Sequence, residues 1–203
     1  MGKIKIKKAD VWIDMTPMSD VMTLLLCFFM LTSTFTKPEP VKVVTPSSVS
    51  EIKVPENGVL NILVDKEGKV FMSLDNQNQL ADALVDVMGQ YGINLQPQQQ
   101  AAFLADPMFG ASMDKLEAYL KMDEMTRQKA LPSLGIPLDS VNGEKSEFQV
   151  WVKAARDANS DLKVAVKADS ETPYKTISRI MNELQDIEEN RYYLITSLKT
   201  EED

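Results

Sequence analysis

A chain of 203 residues, 44% of them hydrophobic, has the length for one ordinary domain with appendages and the apolar content for a substantial core. Its net charge of −8 is unevenly placed: Lys3, Lys5, Lys7 and Lys8 stand in the first nine residues against no acid, whereas residues 38–203 hold 17 basic and 27 acidic side chains, a net of −10. That acidic body argues against nucleic acid as a partner, and a chain with no histidine and one cysteine, Cys27, offers no His-based triad, zinc site or intrachain disulfide.

The strongest apolar run is Val21 to Leu31, and the stretch from Pro17 to Thr36 is twenty residues with Asp20 as its sole charge. As a helix it spans ~30 Å, the hydrocarbon thickness of a bilayer. The reading is a cytoplasmic tail over 1–14 and a transmembrane helix over 15–36. A secretory signal peptide competes with it, since the start is lysine-rich and the apolar run short. Against that stand Asp14 and Asp20 between the lysines and the run, and the lack of an A-x-A-like cleavage site. A buried soluble helix is the third option. If the span is retained, the four lysines keep the N-terminus inside, Trp12 sits at the inner interface, and everything after Lys37 lies outside.

At ~100° per residue, Thr16, Asp20, Thr23, Cys27 and Thr34 fall within an arc of roughly 60°, with Met22, Leu25, Phe28 and Phe29 on the other side. A carboxylate should not face lipid, so this stripe is expected to face protein or a water-filled seam. Asp20 has two readings. With Thr16 as N-cap and Pro17 in the first helical position, it complements the helix dipole from the first turn. Alternatively it is a proton carrier, because desolvation disfavours the charged form of a carboxylate.

After the span, residues 37–57 contain Pro38, Pro40, Pro46 and Pro55 and read as an extended linker or arm. Val59 to Val64 and Lys69 to Leu74 form a hairpin around Asp65-Lys66-Glu67-Gly68. Gln79 to Tyr91 and Ser112 to Leu131 look helical, interrupted by the run Gln96-Pro97-Gln98-Gln99-Gln100 and by Pro132, Gly135 and Pro137. Met108, Phe109, Met113, Met122 and Met125 make either a soft partner surface or a local core. Ser146 to Asn159 is a helix burying Phe148, Val152 and Ala155; Leu162 to Ala168 is a strand, Pro173 to Glu189 a helix, and Arg191 to Leu198 a closing strand. The order is β-β-α-β-α-β, an α+β layer domain over 58–203 with a helical insertion at about 75–145.

The string IDMTPMSDVMTLLLCFFMLTS, residues 13 to 33, resembles the ExbD/TolR family of energy-transducing inner-membrane proteins. Thr16, Pro17, Asp20, Val21 and Met22 match the family's T-P-x-x-D-V-M pattern position by position. Residues 162–196 resemble its C-terminal half, where Ala168, Asp169, Thr172, Pro173 and Tyr174 match a strand-to-helix turn; Pro173 reads equally as an ordinary helix-start residue. Asp14 departs from the family's usual neutral or basic residue, and the insertion is not part of the family pattern. The resemblance implies that Asp20 carries the proton, with Thr16, Thr23, Cys27 and Thr34 supporting its path. It further implies a bundle with a multi-pass ExbB/TolQ-like protein, a TonB/TolA-like periplasmic partner, a periplasmic body, and an arm, Val41 to Val54, that adds as a strand to a partner or second copy; a lone helix carrying one acid suggests a dimer or higher assembly, with a homodimer within the complex expected. A plain spacer is the other reading of that arm.

The function expected is a subunit of a proton-motive-force-driven motor, with no cofactor and no metal. A passive anchor that binds peptidoglycan or another envelope component is the alternative. No carboxylate falls in a spacing that suits a nucleophile or a metal, so an enzyme is not expected.

Overall fold

The computed structural model describes residues 14–33, 40–48, 58–139, 145–195 and 197–198. The chain divides into two units, Met1–Lys37 and Pro38–Asp203. In the first, helix α1 runs over Thr16–Thr32, with Pro17 in its first turn and Ser33 closing it through its N–H to the Phe29 carbonyl. None of its residues is buried, and the large apolar side chains from Met15 to Leu31 are all more than half exposed. At 17 residues it is ~26 Å long. Among the described residues no helix is long and apolar enough to cross a membrane. Of the span expected over 15–36, residues 34–36 lie outside the described ones.

The second unit is α+β. A short strand β1 (Ser47–Ser48) precedes the hairpin β2 (Val59–Val64) and β3 (Val70–Leu74), whose turn has Gly68 at φ 80°, a conformation suited to glycine. Four helices follow: α2 (Gln77–Tyr91), α3 (Pro97–Ala105), α4 (Met113–Leu120) and α5 (Glu124–Ala130), the last running into a 3₁₀ turn at Leu131–Ser133. Then come α6 (Glu147–Ala158), β4 (Lys163–Ala168), α7 (Tyr174–Asp186), β5 (Tyr192–Ile195) and β6 (Ser197–Leu198). The main sheet has the order β3-β2-β4-β5, with β2 antiparallel to β3 and parallel to β4, and β4 parallel to β5. The closing strand is therefore two pieces: β5 extends the main sheet, while β6 pairs in parallel with β1.

Both faces of the sheet are covered: Val59, Leu63, Phe71 and Ala165 are buried on one, and a continuous apolar set is buried on the other. Leu60, Ile62 and Val64 stand opposite Leu74, Met72 and Val70 on one side and Val164, Val166 and Ala168 on the other, and all nine are buried. Phe148, Val152 and Ala155 of α6 are buried as expected, and α2 packs along α6. Local chemistry sets the helix ends. Asn76 accepts from the N–H groups of Asn78 and Gln79 at the start of α2, Gly92 ends it at φ 64°, and the Ser146 hydroxyl accepts from Gln149 at the start of α6.

The insertion departs from expectation in three ways. The glutamine-rich run is not an interruption: Gln96 and Gln99 form a capping box and Pro97 occupies the first position of α3, so the run starts a helix. The helix expected over Ser112 to Leu131 is two, because Asp123 accepts from the Thr126 N–H and begins α5 anew. Nor is the insertion an appendage. Met72 exchanges both backbone hydrogen bonds with Phe109, each at 2.8 Å, and Val70 accepts from the Ile136 N–H at 2.9 Å, so the insertion covers the open edge of β3. Phe103 stacks on Trp151 of α6 at 5.7 Å, and Phe109 lies 4.6 Å from the same ring. Gly110 is required by that packing, since a Cβ there would lie 2.2 Å from the Phe71 ring. Met108, Phe109 and Met113 are core, whereas Met122 and Met125 are exposed.

A buried ion pair holds the insertion's own helices. Arg127 donates to both carboxylate oxygens of Asp106 at 3.0 Å, and to the Met122 carbonyl at 2.9 Å; the two side chains are 7% and 5% exposed. Tyr119 donates to the same carboxylate. Removing one partner of such a pair strands the other in a dry site. Arg127→Ala is therefore expected to cost ~3–5 kcal/mol, read as a lowered urea midpoint by Trp151 fluorescence, with Arg127→Lys recovering only part because it lacks the two-pronged donor.

Candidate functional site

The helix carrying the candidate site is set by its first residues. Met15 is the N-cap and gives no side-chain bond; the cap is supplied by Asp14, whose carboxylate accepts from the Thr16 N–H at 3.0 Å and the Thr16 hydroxyl at 2.5 Å. Those two bonds hold the Asp14 carboxyl below the usual carboxylate range. Thr16 is thus the first helical residue rather than the cap. Asp14, whose role the sequence leaves open, does what one reading assigned to Thr16 and Asp20.

Asp20 stands beyond that first turn, which contains no acid, and its carboxylate makes no hydrogen bond or ion pair with a described residue. The dipole-complementing reading of Asp20 therefore loses its geometry. Thr23 donates its hydroxyl to the Ser19 carbonyl at 2.8 Å, which leaves its oxygen as an acceptor toward whatever faces the stripe. Cys27 is a free, exposed thiol. Thr16, Asp20, Thr23 and Cys27 are thus all on one exposed helix at the spacing the wheel requires, and Thr34 lies outside the described residues. Among the described residues no group of three or more acids or thiols is placed to hold a metal.

A second polar constellation joins the body to the arm that leads to it. The Asp169 carboxylate follows β4 and accepts from the Glu171 N–H at 3.0 Å and from the Val44 N–H at 2.9 Å. Val44 returns a bond, its carbonyl accepting from the Ser170 N–H at 2.8 Å. The Asp169 N–H donates to Val64 at the end of β2, and the Thr172 hydroxyl donates to the Asp65 carbonyl. Val41 is buried in the core and Val43 packs against it. Residues 41–48 are therefore not a plain spacer; they are fastened to their own domain by Asp169 and by the β1–β6 pair. Residues 49–54 of the expected arm lie outside the described ones. The local half of this clasp was legible as an Asx turn at a strand end, while the bond to Val44 crosses 125 positions and left no sequence signal.

The family model for the biopolymer transport proteins ExbD/TolR matches residues 7–199, nearly the whole chain, insertion included. The chain belongs to the ExbD/TolR family. Neither a curated protein nor a solved structure matches it. For this ExbD/TolR chain the match spans both polar constellations, the Asp20 helix and the Asp169 turn.

The clasp makes a pH statement. The N–H groups of Glu171 and Val44 hold the Asp169 carboxyl below the usual carboxylate range. A group whose folded pKa is lowered contributes fully above its unfolded value of ~3.9, and loses that contribution as the pH falls through the folded value. The difference in unfolding free energy between the native chain and Asp169→Asn is accordingly expected to be full at neutral pH and to shrink below about pH 4. Urea titrations of both proteins across that range measure it.

Proposed function

We propose that this ExbD/TolR-family protein is the single-helix subunit of a proton-motive-force-driven inner-membrane motor, with Asp20 as the group that takes and releases the proton. Membership of a family of biopolymer transport proteins supports the general role. The observation that carries the finer reading is that Asp20 is the one charge on an exposed apolar helix, with neither a cap to satisfy nor a described partner. A carboxylate so placed in a bilayer is costly unless another chain receives it or a proton neutralises it.

In this reading α1 lies in the inner membrane with the N-terminus in the cytoplasm and the body in the periplasm. Its 17 residues fall ~4 Å short of a ~30 Å hydrocarbon layer, a mismatch that local thinning accommodates, and the sequence stays uncharged as far as Thr36. The apolar sides of α1 meet lipid and the helices of an ExbB/TolQ-like multi-pass protein. The stripe of Thr16, Asp20, Thr23, Cys27 and Thr34 faces the seam along which the proton moves. Each charge crossing ~100 mV releases ~2.3 kcal/mol, enough to bias how a helix docks on its neighbours. The body, as a homodimer within the complex, passes that change to a TonB/TolA-like periplasmic partner. The arm that follows α1 in sequence is fastened to the body at Val44 by the Asp169 clasp.

Two substitutions separate proton carriage from helix capping. In cells that also make the multi-pass partner, Asp20→Asn keeps the shape and removes titration, and gradient-dependent transport is expected to fall to background, with Asp20→Glu retaining part. Asp14→Asn, at the cap, is expected to keep most of the transport. Undiminished transport in Asp20→Asn overturns the motor reading and leaves a passive anchor.

A further inference from the structure

A cleft of about 420 Å³ opens between the insertion and the start of α7. Lys115 of α4 and the extended residues 134–139 line it from the insertion; Lys69 after the hairpin turn, and Lys175 and Arg179 of α7, line it from the sheet domain. Four cations thus surround one cavity in a body whose net charge is −10, and the lining contains a single carboxylate, Asp139. Such concentration against the overall sign is not what a uniformly solvated surface produces.

The four cations are not equivalent. Lys69 is fixed by the Pro132 carbonyl at 3.1 Å and by Glu67 at 2.8 Å. Arg179 donates to the Leu138 carbonyl at 3.0 Å and to Asp139 at 2.6 Å. The ammonium groups of Lys115 and Lys175, by contrast, make no hydrogen bond or ion pair with a described residue, and neither do the hydroxyls of Ser112 and Thr176 in the same lining. The Asp139 carboxylate is 80% exposed, so its hold on Arg179 is an ordinary surface contact that another oxyanion can replace. It also demonstrates the chemistry: the guanidinium already presents itself to a carboxylate inside this cleft.

We propose that this cleft binds a small polyanion with at least two carboxylate or phosphate groups. One group bridges Lys115 and Lys175 across the two walls, taking hydrogen bonds from the Ser112 and Thr176 hydroxyls. Another displaces Asp139 from Arg179. The volume lies in the range of small-molecule sites, and the ligand ties the insertion to α7. The site is independent of the proton-carrying role of α1.

The test is calorimetric titration of the full chain in detergent with pyrophosphate and, separately, with tricarballylate, in chloride buffer at two salt concentrations. One-to-one binding that weakens with salt is expected for at least one of them. Pyrophosphate alone marks a phosphate ligand, tricarballylate alone a carboxylate ligand, and both together a site that reads charge and spacing. K115M/K175M is expected to weaken binding about tenfold or more, whereas D139N, which removes the internal competitor, is expected to tighten it by about threefold. Opposite signs cannot both come from damage to the fold. No binding of either probe, or an affinity unchanged in either variant, overturns the proposal.

Discussion

The Asp169 carboxylate is the joint on which the arrangement of the body depends. It stands where β4 ends and the turn to α7 begins, and one side chain there satisfies the Glu171 N–H of its own turn and the Val44 N–H of the arm. Its backbone N–H continues the pairing with Val64. End of strand, start of helix and incoming arm are thus specified together. Charged acceptors make stronger hydrogen bonds than neutral ones, so a carboxylate suits this place better than an amide of the same shape. With Val41 buried in the core, the arm is held by an apolar plug and, three residues on, by the charged acceptor at Val44.

The insertion solves a different problem. A four-stranded sheet has two edges, and β3 would present its unpaired groups to any passing strand. Phe109 and Ile136 take those groups, while Phe103 and Phe109 carry the insertion's apolar side into the aromatic cluster around Trp151. The buried Arg127–Asp106 pair then fixes α3 against α5, and the Met113 N–H donates to Glu147 at the start of α6. An insertion anchored at so many points is a wall rather than a flap. The cationic cleft exists because that wall stands opposite α7.

Much of this was legible in the sequence, and the misses have identifiable causes. Alternation at Leu60, Ile62 and Val64, the turn glycine Gly68 and the spacing of Phe148, Val152 and Ala155 place the hairpin, α6 and the core side of the sheet, because each signal is local and periodic. The glutamine run reads as an interruption from its low apolar content, whereas capping by Gln96 and Gln99 depends on side-chain geometry that composition does not express. Asp14 was similarly hidden: an acid before Thr-Pro is a cap through its bond to Thr16, and that bond frees Asp20 from the role. The clasp and the cleft join residues far apart in the chain. No pattern in a single sequence marks such pairs.

Asp20 of α1 has no side-chain partner among the described residues, and the Asp169 clasp holds the arm that follows in the chain. In the motor proposed above, a change at Asp20 reaches the body along the chain that Asp169 fastens at Val44. Hydrogen exchange at the Val44 N–H measures this most directly, in vesicles that hold the protein with its multi-pass partner and carry a proton gradient that can be collapsed. Exchange at Val44 is expected to change when the gradient is imposed, and Asp20→Asn is expected to abolish the change. Identical exchange with and without the gradient, or the same response in Asp20→Asn, would contradict it.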